Sequence, residues 1–181
     1  MNMKNWAFWR VVLCGFIAVF VQLSLPYSPS VQDTGKRRQT ESAAQGLRNS
    51  IKQFSLEYHT FGPFAQGAEQ SGDLWLSSDS DLMAILLGQN NAANPRKIAF
   101  GEWRDAGQRQ TNGIIYSNSG TVGPLVDSWG MPFHIQMDGD GNGQVVDPSD
   151  PQRQLEKSII VYSAGPDRNF ATWPDNVTTW K

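Results

Sequence analysis

The sequence predicts an α+β fold in which an N-terminal membrane segment leads into a long helix packed on a small antiparallel β-sheet, with much of the chain in loops. Three observations predict it. Residues 11–25 form an apolar run in which only Gln22 and Ser24 are polar. Ala44, Leu47, Ile51, Phe54 and Tyr58 then recur at steps of three and four, the spacing of one face of a helix. Beyond residue 60, Gly, Pro, Asn and Asp become frequent and the apolar residues fall in short alternating or β-branched runs, the pattern of strands joined by turns.

A chain of 181 residues suits one folded domain plus an anchor. The formal charge of −2 and the Lys and Arg, scattered except for Lys36-Arg37-Arg38, leave no basic face to neutralise phosphates, so no nucleic-acid partner is expected. The single cysteine, Cys14, lies in the apolar run. An intrachain disulfide and a thiolate metal cluster are thereby excluded, and any staple must come from oxygen ligands.

The elements follow in order. Residues 1–27 read as a membrane anchor or leader. A spanning helix needs about 20 apolar residues, a length reached when Trp6, Phe8 and Trp9 sit at the interface and Arg10 snorkels. A signal peptide is the rival, with Lys4 and Arg10 as its basic region, although no A-x-A-like site follows. Lipidation at Cys14 is disfavoured by Leu13, which stands where a small residue is expected. Residues 28–37 read as a linker and residues 38–181 as the soluble domain. The amphipathic helix is expected over residues 39–59, ended by Gly62-Pro63, because the residue before proline is pushed out of helical geometry. A short second helix over residues 78–88, capped by Ser or Asp and closed by Gly88, should lie beside the first. Residues 89–124 read as a long irregular connection with at most one short strand. Residues 131–137 alternate apolar and polar, residues 138–143 turn, and residues 143–147 return, which predicts a hairpin. Residues 158–163 are β-branched and fit a central strand.

Two loops carry candidate ligands for calcium, a hard cation that takes six to eight oxygens. In the first, Asp138, Asp140 and Asn142 alternate and Gly143 follows, as in the opening half of an EF-hand loop. The twelfth position is Ser149 rather than Glu, which excludes a true EF-hand; a polar β-turn is the competing reading. In the second, residues 163–180, Asp167 and Asp175 are the carboxylates. No catalytic signature accompanies them. His59 and His134 have no motif around them, and the chain has no nucleophile elbow, zinc-protease helix or phosphate-cradling glycine loop, so no enzymatic activity is expected.

The C-terminal motifs occur in a telling order: Asp127-Ser128-Trp129-Gly130-Met131-Pro132-Phe133, then Asp138-Gly-Asp-Gly-Asn-Gly143, then Ser163-Ala-Gly-Pro-Asp167, then Asp175 to Trp180. This order resembles type IV pilin-like proteins, among them the major pseudopilin of type II secretion, over most of residues 41–180. The resemblance implies a pilin-like fold and a structural subunit that assembles through its N-terminal helix with other pilin-like subunits, as a homo- or hetero-oligomer. It further implies single-pass residence in the inner membrane, with the C-terminal domain in the periplasm or outside the cell. It places calcium in the last loop, on Asp167, Asp175 and backbone carbonyls around Tyr162 and Ser163. Gly15-Phe16 matches the family's processing site, whereas residues 11–14 replace its basic residues and Phe20 stands where its Glu would be. The alternative is a membrane-anchored, extracytoplasmic calcium-binding module that does not enter a filament.

Overall fold

The computed structural model describes residues 31–64 and 72–180. Helix α1 spans Val31–Tyr58, so it begins well before residue 39 and takes in most of the stretch read as a linker. Pro26 and Pro29 both precede it. From Val31 onward Gly35 is the main local obstacle, at a cost of about 1 kcal/mol relative to alanine, and long-range hydrogen bonds to Lys36, Arg37 and Thr40 offset it. The predicted stripe is the buried face: Ala44, Leu47, Ile51 and Phe54 have no solvent exposure, and Tyr58 is half-buried. The helix ends where His59 adopts the left-handed region at φ 55°. A short 3₁₀ turn, Gly62–Phe64, follows and carries Pro63.

The fold class needs one correction. Among the described residues no helix is long and apolar enough to cross a membrane. The α+β class holds with a long helix and antiparallel sheets, but the membrane segment is not part of the described fold; residues 1–27 lie outside the described residues.

The remaining elements are β1 (Leu74–Ser77), α2 (Ser80–Leu86), β2 (Gly113–Tyr116), β3 (Val122–Val126), β4 (His134–Met137), β5 (Val145–Asp147), β6 (Asp150–Leu155), β7 (Ile159–Ser163) and β8 (Val177–Thr178). The main sheet has the order β1-β4-β7-β8, antiparallel throughout. Its register aligns Leu74, Met137 and Ile159, and again Leu76, Ile135 and Val161. These residues share one face and join the stripe of α1 in a single apolar core. Trp75, Gln136 and Ile160 line the other face.

Several expectations change. The expected hairpin does not form: β4 pairs with β1 and β7, while β5 pairs with β6. Ile135, Gln136 and Met137 are all buried, so β4 is covered on both faces, which suits an interior strand better than a hairpin arm. Strand β1 was not anticipated. Residues 89–124 hold β2 and the start of β3, which form their own ribbon. Strand β7 is interior, as expected.

Helix α2 packs on β3, and its Leu82, Met83, Ile85 and Leu86 join the core that holds the stripe of α1. Ser78, just before it, explains this: its hydroxyl donates to the Leu125 carbonyl (2.6 Å) and its own carbonyl accepts from the Leu125 amide (2.9 Å). Asp79 then caps α2 by accepting from the amides of Asp81 and Leu82.

Candidate functional site

The first motif forms a turn locked by its own carboxylate. Asp127, fully buried, accepts through Oδ1 from the amides of Trp129 (2.8 Å) and Met131 (2.9 Å). Its backbone closes the same turn, the amide donating to the Met131 carbonyl and the carbonyl accepting from Gly130, which sits at φ 89°. Oδ2 is taken by the hydroxyl of Ser163, at the end of β7. That hydroxyl in turn accepts from the Gly165 amide at 3.0 Å. Two motifs separated by 36 positions thus meet in one hydrogen-bonded unit.

This junction positions the last loop. Gly165 has φ 71°, and a Cβ there would lie 2.4 Å from the carbonyl oxygen of Asp175, so glycine is required for the start of the loop to meet its end. Helix α1 grips the same place. Arg37 donates to the Asp175 carbonyl at 2.7 Å and to the Asn176 carbonyl at 3.5 Å, and Arg48 donates to the Thr179 carbonyl at 3.3 Å. Ser128 adds two bonds to α1, through the hydroxyl of Thr40 and the carbonyl of Lys36. Aromatic rings seal the outside: Phe170 stacks on His134 at 3.5 Å, while Tyr162 meets His134, Phe170, Trp173 and Trp180. Burial lowers the pKa of His134 and pushes Tyr162 up to about 12. His134 therefore works as a packed ring and not as an exposed strand residue.

The predicted ligands differ in how they are used. Asp138 accepts through Oδ1 from Gly141 (2.7 Å) and Asn142 (3.1 Å), and through Oδ2 from Gly143 (2.8 Å). Asp140 accepts from the amide and side chain of Asn142, and Asn142 accepts from the Gln144 amide. The first loop thus satisfies its oxygens with its own donors, as a polar turn does.

The last loop does not satisfy all of its oxygens. Asp167 is exposed and accepts from the Asn169 amide. Oδ1 of Asp175 and Oδ1 of Asn176 are buried with no hydrogen-bond partner. The side-chain nitrogen of Asn176 donates to the Phe170 carbonyl at 3.0 Å, which fixes the amide so that its oxygen is the unpaired atom. Trp180 Nε1 is also buried without a partner, but as a donor it is no ligand. Buried carboxylate and amide oxygens left without a donor are of the kind a hard cation takes. Calcium here would be held by Asp175 and Asn176, with Asp167 as the second carboxylate. The hydroxyl of Ser163 is committed to Asp127, which leaves that residue only its carbonyl to offer. No cluster of three or more acidic, histidine or cysteine side chains suited to a metal occurs among the described residues, so amide and carbonyl oxygens would have to complete the shell.

Sequence reasoning missed Arg37, Arg48 and Asn176. Arg37 closed the stretch read as a linker, and its place seven residues before the stripe begins, at Ala44, was the available sign that it continued the helix. Asn176 carried no charge to mark it as a ligand in sequence, yet it is buried. No protein-family model matches the chain, and no curated protein or solved structure is significantly similar to it.

Proposed function

We propose that the chain is a structural, non-catalytic subunit of an assembly of the type II secretion or type IV pilus class, built with other pilin-like subunits, and that calcium orders its last loop. The observation that carries this reading is the bond between Asp127 and Ser163, which makes one unit of the two motifs on which the resemblance rests. The packing of α1 on an antiparallel sheet accords with it. The calcium part rests on the unpaired oxygens of Asp175 and Asn176. A bound cation would offset the entropy of ordering a segment with little regular structure. Residues 38–181 act outside the cytoplasm in this reading.

Deletion of the gene and chemical cross-linking of the full chain in its native cells test the proposal together. Cross-links to pilin-like subunits and loss of secretion or surface filaments are expected. A chain that cross-links to nothing, with secretion and filaments intact after deletion, overturns the assembly reading. The unpaired oxygens also favour a second reading, a calcium-binding module that enters no filament. A monomer stabilised by calcium in the same cells would select it.

A further inference from the structure

Two surface depressions carry opposite charge and lie at opposite ends of the main sheet. The first, about 210 Å³, is lined by Arg48, Asn49 and Lys52 of α1 and by Lys157, Ser158 and Ile159 at the entry to β7. Its described lining holds three cations and no acid. Arg48 is held at its rim by the bond to the Thr179 carbonyl, and the ion pairs found among the described residues, Arg96 with Glu57 and Arg153 with Asp147, leave Lys52 and Lys157 out. The second, about 330 Å³, is lined among others by Leu76, Ser77, Asp79, Asp81, Leu82 and Asn90, with no cation in its described lining. Asp79 and Asp81 are exposed.

The register fixes where they lie. Ile159 is level with Met137 and Leu74, whereas Ser77 is level with His134 and Tyr162. The basic depression therefore opens at one end of the strands beside β7, and the acidic one at the other end, on the edge strand β1. A patch and its complement at opposite ends of one subunit form a heterologous contact, which repeats from copy to copy instead of closing as a symmetric dimer does. Three cations without a neutralising acid gain most from a partner's carboxylates.

We propose that the Arg48, Lys52 and Lys157 depression receives the Asp79 and Asp81 surface of a second copy of this chain, joining copies head to tail. This inference rests on the structural-subunit reading and names the surfaces that reading would use. It is tested in the full chain carrying Cys14→Ser, expressed in native cells and treated with a short bismaleimide. The combined variant Lys52→Cys with Asp81→Cys gives a ladder of cross-linked species. Either cysteine alone gives none. Lys52→Glu in an otherwise native chain weakens self-association, and adding Asp81→Lys restores it. Dimers from Lys52→Cys alone indicate a symmetric interface and overturn the proposal. The absence of a ladder, in cells where amine-reactive cross-linking still yields oligomers, overturns this surface but leaves the subunit reading standing. The absence of any oligomer overturns both.

Discussion

The loop of residues 138–143 and the loop of residues 163–180 look alike as sequence, each with two aspartates among glycine or asparagine, yet they solve opposite problems. The first spends its carboxylates on the amides of Gly141, Asn142 and Gly143 and is complete by itself. The second is held from outside, by Ser163 and Asp127 at its start and by Arg37 at its end, and keeps two buried oxygens unpaired. Ligand count in a sequence thus ranks loops poorly. What separates them is whether the backbone supplies enough donors to satisfy the acids already present.

The largest effect is expected at Asp127. Asp127→Ala leaves the buried amides of Trp129 and Met131 and the hydroxyl of Ser163 without their acceptor, and should cost roughly 3 kcal/mol or more in a urea unfolding experiment. It should also loosen the last loop, seen as faster amide exchange at Gly165. Asp138→Ala removes three backbone bonds against two, but they lie within one short turn whose donors are only partly buried, where water can replace the carboxylate, so about 1 kcal/mol is expected there and no change in exchange at Gly165. Equal costs at the two sites would erase the distinction between the loops.

Arg37→Met keeps the stem of the side chain and removes the donors to Asp175 and Asn176. About 0.5–1.5 kcal/mol is expected, with exchange rising in residues 175–179. Protection unchanged in that segment would show that the helix does not hold the loop. The smallest effect is in pH dependence. Burial depresses His134 below 6.5, so the unfolded chain takes up this proton first. The stabilisation is complete above pH 6.5 and is lost as pH falls through that value toward the folded pKa. His134→Phe, which retains a ring against Phe170, should flatten the slope of stability against pH in that window. At the other extreme Tyr162, raised from 10.0 to about 12, makes stability fall between those values.

The parts of the fold legible in sequence were those set by local spacing. The stripe from Ala44 to Phe54 needed only the helical period, and residues 158–163 only β-branching. Strand β1 escaped because Leu74, Trp75 and Leu76 do not alternate in polarity, and β2 and β3 because Gly113, Gly123 and Pro124 read as loop. The hairpin error has a similar origin: a glycine-rich turn marks a reversal but not which strand pairs after it. At the candidate site Asp167 and Asp175 were visible as carboxylates. The bond from Asp127 to Ser163 and the grip of Arg37 were not, since they join residues whose proximity only the tertiary fold creates.

The most direct test is thermal unfolding of the full chain, stripped of metal by chelation and then titrated with calcium, for the native sequence, Asp175→Ala and Asp140→Ala. Calcium is expected to stabilise the native chain, by about 2.7 kcal/mol at a hundredfold excess over Kd. The same gain is expected in Asp140→Ala and none in Asp175→Ala. A gain that survives Asp175→Ala but disappears in Asp140→Ala would move the cation to the first loop, and no gain in any of the three would remove calcium from the account.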